Sequence, residues 1–528
     1  MHQKKLRDIA YRAILTALIL AATCVNAKRG TQSHVTSWNA YSRQFIDAPT
    51  FRLLAVPGTT EYRAVVQQGG KNWTVHSKMP VVNLAKIWGP LQTKRFSLTL
   101  DWLGPDGKVI QSETSDRVKA PDFKGFKEPA IDWPAAADRN IAYLIAAAEG
   151  APAPYREPGV PVWIWSASPD YNLSYPCLMI NSLTWAFLAH AENSRPQSAE
   201  ALGLARVGAD WALAHRQPNS GALPLFPYST VTMGKFGGSI EGNAVNLLRA
   251  SYLATSFVDL YETTRQEPYL AYARHIADVT ARFQNPDGSF PYRVNPKTGA
   301  VVEQYTCCAM EFVELVERLE SFGFDARRAM VAHRTLEWML AYVCKVNNWK
   351  ATFEDIPEQP FYANLSQMPC LPLIRYLCRH KDENRDYLPT ATRLNRWVED
   401  QFVNFGPDNE ASPVRVKGPL VFEQYSCWWP MEGHTAHWIA ALIELHKATG
   451  KRIYLDKAQA AANAICHEQY ANGEFSTWGR DYQTGASVID TNPRLKNWYN
   501  ANSMADVALY KLALYVKTRN KTNTNEKK

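Results

Sequence analysis

Four glutamates stand out by the company they keep. Glu303 and Glu423 each open the same phrase, Glu-Gln-Tyr followed by Thr or Ser and then Cys, at 303–307 and 423–427. Glu432 begins Glu-Gly-His-Thr-Ala-His, which places His434 and His437 three apart, and Glu241 precedes Gly242 and Asn243. Carboxyl groups in pairs can split a bond to oxygen. One, protonated, releases the leaving oxygen; the other, ionised, acts as base or nucleophile. Tyr305, Tyr425, Asn243, His434 and His437 supply donors, acceptors and a proton carrier near neutral pH. Each glutamate also has a plainer reading as a first-turn residue favoured by a helix dipole, worth about 0.3–1 kcal/mol. A repeated phrase can equally reflect repeated packing.

The ligand that suits these groups is suggested by the aromatic residues. The chain holds 17 tryptophans, and Trp163, Trp165, Trp428, Trp429, Trp478 and Trp498 fall in long loops, where indole planes can stack on the apolar faces of sugar rings. Tyr292-Arg293 and Arg480 occupy corresponding loops, and either guanidinium can grip a carboxylate through two parallel hydrogen bonds. An anionic oligo- or polysaccharide is therefore the expected partner. The same residues permit a second chemistry, β-elimination, in which Tyr or His removes a proton beside a neutralised uronate. A third reading is a glycan-binding protein without catalysis. Cys177, Cys307, Cys308, Cys370 and Cys427 lie near predicted helix starts, but no Cys-x-x-Cys spacing occurs. No metal and no cofactor are expected, and the cysteines read as buried free thiols. No phosphate loop, dinucleotide fingerprint or Gly-x-Ser-x-Gly elbow stands out.

Positioning these residues falls to helices of two kinds. From Pro134 onward apolar residues recur at helical spacing. Amphipathic helices are predicted over 135–149, 198–216, 267–283, 326–345, 389–405 and 452–470. Between and after them come apolar, small-residue helices over 177–191, 241–263, 307–322, 366–380, 438–448 and 503–516. Connections into the apolar set are long and rich in turns, as at Asn285-Pro-Asp-Gly288 and Asn472-Gly473; return connections are short. An apolar helix needs burial on nearly all sides, and an amphipathic one needs it on one face. Six hairpins then close most simply into two concentric rings, an (α/α)6 toroid, with the long loops gathered at one end. Ahead of it, residues 38–122 alternate apolar and polar residues between glycine-rich turns, which predicts a β-sandwich of immunoglobulin or fibronectin type III size. The fold class is thus mainly α, a toroid over 130–516 preceded by a β-sandwich.

On hairpin count, Asn-Asp-Gly or Pro-Asp-Gly loops and aromatic loop ends, the chain resembles the six-hairpin glycosidase-like superfamily over about 130–516. It looks most like uronate-acting members, the family 154 β-glucuronidases among glycoside hydrolases, with toroidal polysaccharide lyases next. That resemblance implies an exo-acting glycoside hydrolase; no residue role is carried over with it.

The bulk numbers fit a secreted globular enzyme. With 528 residues and 46% apolar content the chain can bury a large core. Part of the net charge of +8 lies in the ends, a basic leader and Lys517–Lys528, so nucleic acid is a poor inference. Residues 1–27 read as a signal peptide, with Lys4, Lys5, Arg7 and Arg12 before an apolar run and Val25-Asn26-Ala27 at the cleavage position. Secretion or a periplasmic location follows, and Cys24 raises lipoprotein anchoring as the lesser alternative. No later stretch is long and apolar enough to span a bilayer, and residues 517–528 are expected to be a disordered tail.

Overall fold

The structure is a computed structural model and describes residues 42–126, 131–150, 156–169, 173–236, 244–303, 306–349, 365–406, 415–424, 429–487 and 497–525. Residues 1–27, Glu241, Asn243, Tyr305, Tyr425, Cys427 and Trp428 lie outside these. The chain divides into two units between Asp122 and Phe123.

The first unit is all β apart from one turn of helix. Strands β1 (Gln44–Phe45), β3 (Glu61–Gln68), β4 (Lys71–Ser77), β6 (Arg95–Leu103) and β7 (Val109–Lys119) form a sheet in the order β1-β7-β6-β3-β4, while β2 (Thr50–Arg52) pairs with β5 (Val81–Asn83). Tyr62, Ala64 and Val66 alternate inward along β3 and share one core with Phe51, Val82, Leu98, Leu100 and Trp102, so the β2–β5 pair closes over one face of the larger sheet. Gln68 pairs with Lys71, leaving a two-residue turn. Its residues Gly69 and Gly70 have φ of +57° and +77°, the backbone that matches strand twist and that glycine adopts without strain.

In the second unit, twelve helices among the described residues form six hairpins. The outer set is α1 (Trp133–Ala148), α3 (Ser198–Ala214), α5 (Glu267–Ala281), α7 (Ala326–Trp338), α9 (Tyr387–Phe402) and α11 (Arg452–His467). The inner set is α2 (Pro176–Glu192), α4 (Leu247–Thr264), α6 (Met310–Glu320), α8 (Cys370–Arg379), α10 (Glu432–Thr449) and α12 (Tyr499–Asn525). Each inner helix packs on the next, and α12 packs back on α2, so the inner ring is closed. Each outer helix leans on its inner neighbour, α1 on α12 and the rest on the helix after or before them in their hairpin. This is the (α/α)6 toroid.

Several boundaries differ from expectation, among them three with a visible physical reason. Helix α10 starts at Glu432, not Trp438. Its polar first turns are helical because Thr435 bonds back to Met431 O (2.8 Å) and receives Val421 N–H (2.9 Å). Helix α4 starts at Leu247, where the Asn246 side chain caps the Leu248 amide at 3.0 Å. Helix α12 runs on to Asn525 through the segment expected to be a disordered tail. Tyr515, just before that segment, and Arg519 within it both hydrogen-bond the His446 ring near the end of α10, at 2.6 Å and 2.9 Å. Helix α10 itself ends on Gly450 at φ +69°, the left-handed cap that glycine adopts without strain.

Candidate active site

All six inner helices follow long loops and therefore begin at the same end of the ring. The loops are laced together there by short β-pairs: 245–246 with 293–294, 290–291 with 306–307, and 420–422 between 403–404 and 430–431. These ladders hold Arg293, Glu303 and Glu423 over the helix starts. Glu303 accepts Arg293 Nε at 2.8 Å, and the guanidinium closes a second contact through Nη2. It is thus an ion-paired carboxylate. The Glu423 amide donates to Trp429 O (3.0 Å) and its carbonyl accepts Ser366 Oγ (2.9 Å).

Two other carboxyls stand in the opposite condition. Glu432, the first residue of α10, is fully buried at 0% exposure. Its carboxyl faces the Ser476 hydroxyl and the Gly479 amide without a well-formed hydrogen bond to either. Burial first, and then Glu468 beside it, raise its pKa well above the usual carboxylate value. Glu468 is itself raised by burial to about 8 and accepts the Arg480 backbone amide. Glu311, the second residue of α6, is 4% exposed, and burial raises its pKa to about 7. Tyr252 of α4 bonds one of its oxygens while Oε2 has no partner. A helix start favours the ionised form by about 0.3–1 kcal/mol. Full desolvation of a carboxylate costs several times that, so both acids give up their protons at higher pH than an exposed carboxyl does.

The histidines are neutral. Burial lowers His434 to about 3, and its Nδ1 lies 2.6 Å from Gln367 Nε2. His437, one helical turn further on, is lowered well below its usual value by burial and then by Arg375, His434 and Lys511. Its Nε2 is buried without a partner.

Beneath this end the inner ring has a polar bore. On otherwise buried helices, half-exposed or exposed residues recur every seven positions, two turns apart: Leu178 and Trp185, Tyr252 and Asp259, Met504 and Lys511. Ion pairs cross it from helix to helix. Asp259 and Glu262 of α4 hold Arg318 of α6 at 2.6 Å and 2.7 Å. Glu314 and Glu317 of α6 hold Arg375 and Arg379 of α8 at 3.0 Å and 2.8 Å. Lys511 is exposed and yet influenced by Glu192, Asp259, Glu314 and Arg375, which come from four other inner helices.

The aromatic residues divide sharply. Trp163, Trp165 and Trp478 are buried, and Tyr292 fully so, packed with the core. Trp429 and Trp498 are half-buried. Trp498 stacks on Tyr175 at 5.8 Å and 16°, and the Arg249 guanidinium covers the Tyr175 ring at 4.1 Å, which makes a layered platform across α12, α2 and α4. The two arginines expected to bind a carboxylate are committed within the chain. Arg293 holds Glu303, and Arg480 lies 4.1 Å over the Tyr470 ring with Nε on Gly485 O (3.1 Å). Among the expected residues the structure thus brings Glu303, Glu423, Glu432, His434 and Trp498 to one end of the ring. Tyr252, Glu311, Gln367, Glu468 and Arg249 were missed. A signal existed for Glu311: with Glu314 and Arg318 it makes a polar stripe at i, i+3 and i+7 on an apolar helix. Nothing in the sequence marked Gln367. A cleft of about 570 Å³ between Phe123–Phe126, Trp133, Arg452 and Asn463 lies on the outer wall, away from these groups.

Among the described residues no group of three potential ligands is placed to hold a metal ion, and no helix is long and apolar enough to cross a membrane. Seven cysteines are buried free thiols.

No protein-family model matches the sequence, and no curated protein matches it. Solved structures do resemble it. A D-mannose isomerase aligns over 74% of this chain and 100% of its own, at 12% identity and a TM-score of 0.53. A family 76 α-mannanase of Bacteroides thetaiotaomicron aligns over 74% and 98%, at 13% identity and 0.51. A family 76 glycoside hydrolase (mannosidase) from Bacteroides thetaiotaomicron VPI-5482 aligns over 74% and 99%, at 12% identity and 0.50. At such identities the likeness concerns the fold, and the chain has the six-hairpin (α/α)6 toroid that these proteins share.

Proposed function

We propose that the protein is a carbohydrate-active enzyme that hydrolyses glycosidic bonds at the mouth of its inner ring, acting from the end of an acidic, uronate-containing glycan in the manner of a β-glucuronidase. One observation carries this reading: the helix-start end of the ring holds carboxyl groups in opposite surroundings. Burial raises the pKa of Glu311 and Glu432, while Glu303 is ion-paired with Arg293. Environments that separate two carboxyls in this way assign the acid and the base of glycoside hydrolysis. The acid protonates the departing oxygen, and the carboxylate activates water or attacks the anomeric carbon.

Other features support a sugar substrate. The Trp498–Tyr175 stack offers a ring face to a pyranose. Arg249 beside it supplies a positive charge for a uronate. Proteins of the same fold include a mannose isomerase and mannan hydrolases, all of which act on sugars.

A second reading, β-elimination, is favoured by the two neutral imidazoles, since a neutral histidine can take a proton. Incubation with a panel of uronate-containing and neutral glycans separates the two, following new reducing ends together with absorbance of an unsaturated product. Reducing ends without that absorbance, released as single sugars and lost in Glu311→Gln, Glu432→Gln or Glu303→Gln, support exo-hydrolysis. Both signals together support elimination, and neither signal from any glycan overturns the enzymatic reading.

A further inference from the structure

Ser366 and Gln367 precede α8 and are wholly enclosed between it and the start of α10. The Gln367 side chain meets three groups. Its Nε2 lies 3.1 Å from Phe422 O and 2.6 Å from His434 Nδ1, and its Oε1 lies 2.9 Å from Ser366 Oγ. Nitrogen and oxygen of an amide are hard to tell apart by shape, so their placement has to be settled by partners. Here it is settled by Phe422, because a backbone carbonyl can only accept and must therefore face the nitrogen.

The consequence runs through the remaining hydrogen. An amide nitrogen has two, and with one on Phe422 O the other points at His434 Nδ1. That ring atom must then present its lone pair. A doubly protonated ring would set N–H against N–H, and burial already holds the ring neutral at any ordinary pH. The single proton of the imidazole is left on Nε2.

We infer that Gln367 is a positioning residue that fixes His434 as its Nε2–H tautomer, so that His434 is a hydrogen-bond donor at Nε2 and not a proton-abstracting base. That this donor matters to catalysis rests on the proposed function; the tautomer does not. The same amide chain reaches the other candidate loop, since Ser366 Oγ also lies 2.9 Å from Glu423 O. Gln367 thereby ties the strand carrying Glu423 to the helix carrying His434 and Glu432. It also weighs against elimination through His434, which would need Nε2 as an acceptor.

The test is spectroscopic. In the full chain labelled with ¹⁵N-histidine, two-bond ¹H–¹⁵N correlations distinguish the tautomers, and His434→Gln identifies the His434 signals by their loss. The expected result is an Nε2–H pattern in the wild type, replaced in Gln367→Glu by a proton on Nδ1, which the carboxylate would accept. An Nδ1–H pattern in the wild type overturns the inference without any variant having to fold. So does an unchanged pattern in a folded Gln367→Glu.

Once a glycan is found that the protein cleaves, Gln367→Glu should lower kcat on it by about 10²-fold or more, the usual loss for one oriented donor. The double variant with His434→Gln should then be no slower than His434→Gln alone. Multiplied losses would mean that Gln367 acts by another route. Should no glycan be turned over, the proposed function fails while the tautomer is still decided by the spectra.

Discussion

Replacing Glu311 by Gln should make the protein more stable at neutral and alkaline pH while disabling its site. The side chain is 4% exposed, with Oε2 unpartnered, and its carboxyl titrates near 7 in the folded protein against 4.5 when unhindered. At about 1.4 kcal/mol per pH unit, that difference amounts to roughly 3 kcal/mol. The sign follows from which state gives up its proton first. Below about pH 4.5 the carboxyl is protonated in both states, and burial carries no charge penalty. Between 4.5 and 7 the unfolded chain releases the proton and the folded one keeps it, so stability falls as pH rises; above 7 the loss is constant. An uncharged amide of the same shape removes this dependence and can still accept from Tyr252. Urea unfolding of wild type and Glu311→Gln in parallel from about pH 4 to 8.5 isolates the group, since every other titration cancels in the difference. The two should coincide at the acid end, and the variant should lead by up to roughly 3 kcal/mol at the alkaline end, with kcat down by about 10²–10⁴ if Glu311 is the acid. A difference that does not change with pH, or a variant weaker at pH 8, would refute the claim that the folded ring stores a protonated carboxyl here.

Three further outcomes follow from the same structure. Gly288 has φ +97°, and a Cβ there would lie 2.5 Å from Arg334 O, so Gly288→Ala should cost about 1–3 kcal/mol from the backbone alone and lower the calorimetric Tm. Lys457 and Glu399 form a pair at 2.6 Å with both side chains about 5% exposed; Lys457→Met leaves a buried carboxylate and should cost about 3–5 kcal/mol in urea unfolding, much of it restored by adding Glu399→Gln. Trp498→Ala should raise KM for the cleaved glycan by about 2- to 12-fold with kcat little changed, as expected for a stack worth about 0.5–1.5 kcal/mol.

The toroid was legible because its physics is repetitive. Helices that must be buried all round and helices that need only one buried face differ in composition, and their alternation forces two layers. The site was less legible because its residues belong to a surface that sequence periodicity does not anticipate, the bore. Apolar composition alone begins α10 at Trp438, because an inner helix is expected to be apolar throughout; in the structure the polar run Glu432–His437 forms the helix's own first turns. Arg293 and Arg480 were harder to read for another reason. A guanidinium near an aromatic ring reads as a ligand grip only if no internal acceptor reaches it first, and Glu303 and the Gly485 carbonyl do. Such competition between chain and ligand is a three-dimensional fact with no trace in spacing.

Buried acids of the toroid differ in where they sit, and the difference bears on where function resides. Asp506 of α12 bonds Asn140 of α1 at 2.7 Å, and Asp400 of α9 meets Arg396 at 3.1 Å. The first lies well inside its helix and links the two layers, although its Oδ1 has no partner, and the second pairs within an outer helix. Glu311 and Glu432 instead sit at inner-helix starts, with Oε2 of the one and both oxygens of the other lacking a partner. A ring selected for stability alone would place an amide or a methionine at these positions and gain a few kcal/mol at neutral pH. Groups that lower stability persist where they do something else, and enzymes commonly give up stability in this way at the site of their chemistry. If so, Glu432→Gln should repeat the pattern of Glu311→Gln, gaining stability at alkaline pH and losing turnover, whereas Asp506→Asn, with its Asn140 bond weakened, should gain nothing in turnover or in its dependence on glycan concentration. Finding stability and turnover moving together in both glutamate variants would place these acids among the structural ones and leave the ring without its proton donor.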